Sequence, residues 1–198
     1  MNSRLFAALS APALVLSVSA CGINTVPASE ETAKARWADV QAAYQRRANL
    51  IPNLVATVKG AAASEERILT NVTEARANAT RITVSPEQLS DPSAMQRFNE
   101  AQARLSTAII PLQRLQEQYP QLQSQGNFAT LMSQLEGTEN RINITIRDYN
   151  EAVRDYNTRI RTFPDMIGAK LVHGAKPLVP FEATTPNADQ APAVDFNK

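Results

Sequence analysis

The chain has one cysteine, one histidine, one tryptophan and only six glycines among its 198 residues. A structural zinc site takes several Cys or His side chains, so none can be assembled from this set. His173 is the sole imidazole, and no nucleophile elbow accompanies it to make a Ser-His-Asp or Cys-His arrangement. Neither a P-loop nor a GxGxxG loop occurs. Glu65 and Glu66 are adjacent carboxylates, but neighbours on a helix point in different directions, so they serve as helix-start acids and not as an acid/base dyad. The expectation is a protein without enzyme activity and without a metal or cofactor. One-sided charge is also missing, since the formal net charge is +1. Removing residues 1–20 takes away Arg4 and no acid, so twenty basic residues become nineteen, against nineteen acidic. That balance argues against nucleic acid or an anionic lipid surface as the main partner.

The first residues differ in kind from the rest. Met1 to Arg4 is a short n-region with one positive charge, and Leu5 to Val18 is apolar over about a dozen residues, too short to span a bilayer stably. The segment closes on Val18-Ser19-Ala20-Cys21, small residues followed by the single cysteine, an ending that resembles the bacterial lipobox. In a lipobox the thiol is acylated and cleavage leaves the cysteine as residue one. The competing reading is an ordinary signal peptide with a stray cysteine after the cut, which leaves a free thiol with no purpose in an exported protein. Residues 1–20 are therefore expected to be a lipoprotein signal peptide, with Cys21 the lipidation site. One acyl chain holds a membrane only marginally, so stable anchoring takes two or more. Gly22, in place of Asp, favours the periplasmic face of the outer membrane over the inner membrane by resemblance to sorting rules in double-membraned bacteria.

Residues 21–28 are expected to be a tether, after which Ser29 caps a helix with Glu30 and Glu31 in its first turn. Trp37, Val40, Tyr44, Arg47, Ile51, Leu54 and Val58 follow in steps of three and four, the spacing of a narrow helix seam. The period falters at Ala61 and Glu65 beside Gly60 and resumes at Ile68, Val72, Ala75, Ala79 and Ile82. One helix over 30–82 would be roughly 80 Å long, so a break is expected near 60–64. Ser85 with Gln88 matches a capping box, and Asp91-Pro92 an N-cap followed by a first-position proline. A third helix is expected from Pro92 to Tyr119 with Pro111 inside it, and a fourth through the seam Phe128, Met132, Leu135, Glu139, Ile142, Ile146, Tyr149, Val153, Tyr156, Ile160 and Phe163, stopped by Pro164. Residues 165–198 hold Pro177, Pro180, Pro186 and Pro192 without a sustained period and are expected to form an extended Pro-rich tail. Four helices with short connections make an all-α, up-and-down four-helix bundle over 29–164.

Two charged residues occupy seam positions. Arg47 falls between Tyr44 and Ile51, and Glu139 between Leu135 and Ile142. An unpaired charge there is expensive, so the two are expected to meet across the bundle and fix its register, the alternative being that each reaches solvent along its aliphatic stem. Asn143, Asn150 and Asn157 form a stripe at seven-residue spacing. It can serve as a surface for a partner helix or a glycan, or as a solvated or inter-helix hydrogen-bonding face.

The same segments resemble the LemA family of bacterial envelope proteins. The resemblance is carried by Trp37 with Gln45-Arg46-Arg47, by Asn49 through Val55, by Thr57 to Gly60, by Thr73 to Ala77, by Thr138 to Arg141, and by Tyr149-Asn150 through Asn157. Phe163-Pro164 and the C-terminal Val194-Asp195-Phe196 also look like family endings. It implies a bromodomain-like four-helix bundle and an envelope protein with no established catalytic activity, in a family often encoded near membrane-protease or TPM-domain genes. Many relatives carry an N-terminal membrane helix where this chain has its lipobox. The expectation is a lipid-anchored, non-enzymatic adaptor for other envelope proteins. The rival is a binding module for cell-wall glycan or another envelope polymer, which would need exposed aromatic or Asn/Arg side chains.

Overall fold

The computed structural model describes the backbone of residues 3–120, 122 and 126–182, with side chains from Asn24 onward except at 61, 63 and 116. The described residues form helices and no strand: α1 (Ser3–Ala61), α2 (Glu66–Arg81), α3 (Pro92–Gln118), α4 (Gly126–Arg159) and a short α5 (Asp165–Leu171). Helices α1 to α4 build the up-and-down bundle that the seams specify. Their directions follow from which core residues meet. At one end Trp37 and Val40 share a cluster with Met95 and Phe98 near the start of α3, and with Tyr149 and Val153 near the end of α4. At the other end Ile51 and Leu54 meet Leu69 and Val72 of α2, Leu112 late in α3, and Phe128 and Leu135 early in α4.

The local signals act where they stand. The helix breaks at Ala62 and a single 3-10 turn over Ala63–Glu65 leads into α2. Gln88 Oε1 accepts the Ser85 backbone N–H at 3.0 Å in a capping box ahead of a 3-10 turn at Pro86–Ser90. Asp91 caps α3 by accepting from the Ser93 N–H at 2.9 Å, with Pro92 at the first helical position, where its missing N–H costs nothing.

Both ends of the bundle differ from expectation. The tether over 21–28 and the Ser29 cap do not form a separate element, because α1 runs through them and Ser29 Oγ donates to the Val26 carbonyl at 2.9 Å. The seam continues backward from Trp37 through Ala33 and Glu30 to Val26, and Ala33 and Val26 are fully buried, so this stretch has apolar surface to cover. Residues 3–20 continue the same helix. The side chain of Cys21 lies outside the described residues. No helix among the described residues is long and apolar enough to cross a membrane.

At the other end α4 stops at Arg159, before Pro164. Phe163, counted in the seam, sits in the connecting turn with 70% of its surface exposed. The start of the segment expected to be extended is helical instead. In α5, Asp165 accepts from Thr25 Oγ1 at 3.2 Å and ion-pairs with Arg159 at 3.5 Å, while Ala169 joins the core with Val26 and Ala33 of α1. A seven-residue helix has too few positions to show a period, which is why the sequence did not display it. The chain turns at Gly174 (φ 55), and residues 175–182 form no helix and lie along the bundle as a strap. The family-like ending Val194-Asp195-Phe196 lies outside the described residues.

Pro52 sits inside α1 and has no N–H, so the carbonyl of Ala48, four residues earlier, loses its intrahelical donor. Arg76 of α2 supplies a replacement, its Nε donating to the Ala48 oxygen at 2.7 Å. The proline thereby creates the acceptor that fastens α2 to α1. Arg76→Met should cost about 1–2 kcal/mol in urea unfolding, the usual worth of a hydrogen bond from a charged donor. In a Pro52→Ala background, where the helix again supplies its own N–H, the same change should cost clearly less. Equal costs in the two backgrounds would refute the coupling.

Candidate functional site

Arg47 is 1% exposed and lies where the two apolar clusters adjoin. Its Nη1 donates to Glu139 Oε1 at 3.0 Å and to Ser106 Oγ at 2.7 Å, and its Nη2 donates to Gln102 Oε1 at 2.8 Å. The guanidinium also sits 4.9 Å from the Tyr44 ring centroid, a cation–π contact. Gln102 passes the connection on, its Nε2 donating to the Ala79 carbonyl of α2 at 3.3 Å. One network therefore touches all four long helices: Glu139 of α4, Arg47 of α1, Gln102 and Ser106 of α3, and the α2 backbone. The two seam charges do meet, but they are not alike, since the Glu139 side chain is 40% exposed. Gln102 fills the seam position between Phe98 and Leu105, the same signal that Arg47 and Glu139 give, whereas Ser106 lies off the seam; a buried guanidinium has five N–H donors to satisfy, a requirement that calls for more than one acceptor.

Of the asparagine stripe, two members hold the strap. Asn157 Oδ1 accepts the Leu178 N–H at 2.9 Å while its Nδ2 donates to the Leu178 carbonyl at 2.8 Å. Asn150 does the same for Phe181, at 2.7 and 2.9 Å. Each carboxamide so closes a two-bond ring with one residue of extended main chain. Tyr149 Oη donates to the Val179 carbonyl at 2.8 Å, and the Val179 N–H donates to the Leu89 carbonyl at 2.9 Å. Asn143, the third member, is exposed and has no such partner among the described residues.

The strap completes the aromatic core. Phe181 lies 6.4 Å from Trp37, 6.2 Å from Tyr44 and 6.4 Å from Phe98, so α1, α3 and the strap meet ring against ring. Tyr149 joins the group at 5.1 Å from Trp37. The run Leu178-Val179-Pro180-Phe181 was the available signal, apolar residues inside a segment judged only by its prolines. Burial pushes the Tyr44 hydroxyl up to about 12 and also raises Tyr149 and Tyr156. Among the described residues no three of His, Cys, Asp and Glu converge as metal ligands would.

A family model described as the LemA family matches residues 36–196. None of the curated proteins compared matches the chain.

Arg47→Ala should destabilise the protein by about 3 kcal/mol or more, because it opens a cavity and strands Gln102 and Ser106. Glu139→Ala should cost no more than about 1–2 kcal/mol, since solvent reaches its carboxylate and screens the pair. Urea unfolding of both variants checks this, and equal costs would count against the asymmetry. Tyr44 gives a pH signature. Its neutral form is kept up to about 12 in the fold against 10 in the unfolded chain, so its contribution is whole below pH 10. As the pH rises from 10 towards 12 the unfolded chain ionises first and the fold loses roughly 2–3 kcal/mol. Tyr149 and Tyr156, raised in the same direction, add their own loss, so Tyr44→Phe should shrink the alkaline decline in urea midpoints without abolishing it, and a decline of unchanged size would refute the assignment.

Proposed function

The chain belongs to the LemA family, and from that premise we propose that it is a lipid-anchored, non-enzymatic helical adaptor of the bacterial cell envelope. The observation that carries the reading is the asparagine ladder. Asn150 and Asn157 grip an extended main chain by its N–H and C=O groups, without using a side chain of the strap. Asn143, the exposed third member of the same stripe, offers that grip to the main chain of a partner protein.

The rival glycan-binding reading is less well supported. Sugars stack on exposed aromatic faces, and Tyr149 and Tyr156 are buried at 0% and 1% exposure. The partners proposed are other envelope proteins, with membrane proteases and TPM-domain proteins as the first candidates through the family resemblance. Acylated Cys21 would hold the bundle at the periplasmic face of the outer membrane, in the place that a membrane helix takes in many relatives.

Crosslinking in intact cells, comparing wild type with Cys21→Ser, tests anchor and adaptor together. Wild type should fractionate with membranes and yield the same protein neighbours in replicate captures. Cys21→Ser should lose both the acyl label and those neighbours. Recovery of cell-wall fragments in place of proteins, or of no reproducible neighbour, would overturn the adaptor reading. Membrane association that survives Cys21→Ser would overturn the anchor.

A further inference from the structure

The exposed apolar side chains are unevenly placed. Among the described residues seven large ones are exposed, and five of them, Phe163, Met166, Ile167, Leu171 and Val172, fall within ten consecutive positions. Leu171 is 81% exposed and Phe163 70%. They occupy α5 and the turn that leads into it. Helix α5 buries Gly168 and Ala169, the latter in the core with Val26 and Ala33 of α1, and leaves Met166, Ile167, Lys170 and Leu171 in the open. A helix that gives its small residues to the core and its large apolar ones to solvent reverses the usual amphipathic arrangement. A contiguous exposed patch of this kind marks a surface that something else covers.

Its place in the chain selects the cover. Thr25 Oγ1 donates to Asp165, in the first turn of α5, at 3.2 Å. Cys21 stands four residues before Thr25 in α1, about 6 Å along a helix. The patch therefore lies at the end of the bundle where the anchored chain meets its membrane, a point that rests on the lipid anchor proposed above. Charge agrees with this. The mature chain is balanced as a whole, but residues 159–176 hold Arg159, Arg161, Lys170 and Lys176, all exposed, against Asp165 alone. Asp165 is itself paired with Arg159 at 3.5 Å. Between Cys21 and Glu30 the chain carries no charge. Aliphatic and aromatic side chains rimmed by Arg and Lys suit the headgroup boundary of a bilayer, where the cations meet lipid phosphates.

We propose that α5 and the Phe163 turn form a membrane-seating face. The bilayer that receives the lipid on Cys21 also receives Phe163, Met166, Ile167 and Leu171 at its headgroup boundary. An anchor at one residue leaves the bundle free to swivel; a second contact fixes its aromatic end towards the membrane and its aliphatic end away from it.

Cys21 is the only thiol, so the purified mature chain can be coupled there to a maleimide-bearing phospholipid in vesicles of phosphatidylethanolamine and phosphatidylglycerol. That coupling holds whether or not cells acylate Cys21, which the acyl label in cells reports separately. Trp37, the single tryptophan, is 1% exposed and gives a constant background. On coupling, the added emission of Leu171→Trp should shift to the blue. It should fall about twofold or more when the lipids carry brominated acyl chains, since an interfacial face sits about 5–10 Å into the boundary. Ile110→Trp, at an exposed apolar position in the aliphatic half of α3, should do neither. Ile167→Asp should abolish both changes in the Leu171→Trp chain. Unquenched Leu171→Trp would overturn the proposal, as would equal quenching of Ile110→Trp. A blue shift that arises without vesicles and grows with protein concentration would assign the face to a second copy and overturn it as well.

Discussion

The bundle is organised around a positive charge that has no direct route to water. Burying the Arg47 guanidinium is tolerable only if its donors find acceptors, and those acceptors come from different helices: Glu139 from α4, Gln102 and Ser106 from α3. The apolar seams of α1, α3 and α4 permit sliding by a turn at modest cost, because one leucine layer resembles the next. The polar layer does not permit it. A slip of one turn in any of the three helices would leave a buried cation facing methyl groups. The layer also marks the join between the two apolar clusters, the aromatic one around Trp37 and the aliphatic one around Leu112.

The strap plays the complementary part. Helices α1 and α4 pack along their length, and α2 packs against α3, but the face between α3 and α4 is closed at the aromatic end by extended chain. Phe181 fills the space among Trp37, Tyr44 and Phe98 that a closer approach of two helices would otherwise fill. Because extended backbone exposes unpaired N–H and C=O groups, it can lie in such a place only where side chains answer them. Asn150, Asn157 and Tyr149 on one flank and Asn99 with the Leu89 carbonyl on the other give that answer.

Most of the bundle was legible in the sequence because it rests on periodicity. The seams of α1, α3 and α4, the break near Ala62 and the Ser85 and Asp91 caps are local patterns with local causes. The meeting of Arg47 with Glu139 could be inferred because each interrupted an otherwise apolar seam. Gln102 carries the same signal, a polar residue at the seam step between Phe98 and Leu105; Ser106 does not, since a polar residue off the seam resembles any solvated one until the partner helix is in place. The start of α1 was misjudged because Ser29 with two following acids imitates a cap, while the evidence for continuity, Val26 and Ala33, is two small residues. The strap was missed for a different reason. Prolines signal only that helix and ladder are unavailable, and they say nothing about whether the extended chain is packed.

The asparagine ladder ties two polymers of unequal pitch, a helix and an extended strand, at points where their repeats coincide. Such a match is a vernier, and it constrains what length changes the molecule can absorb. One residue inserted between Asn150 and Asn157 would swing one carboxamide about 100° around α4, away from the strap. One residue inserted between Leu178 and Phe181 would carry Phe181 past its place among the rings. Changes survive only in paired steps, seven residues in the helix with three in the strap. The spacing of these asparagines thus acts as a gauge that keeps the length of the last helix and the path of the chain beyond it commensurate.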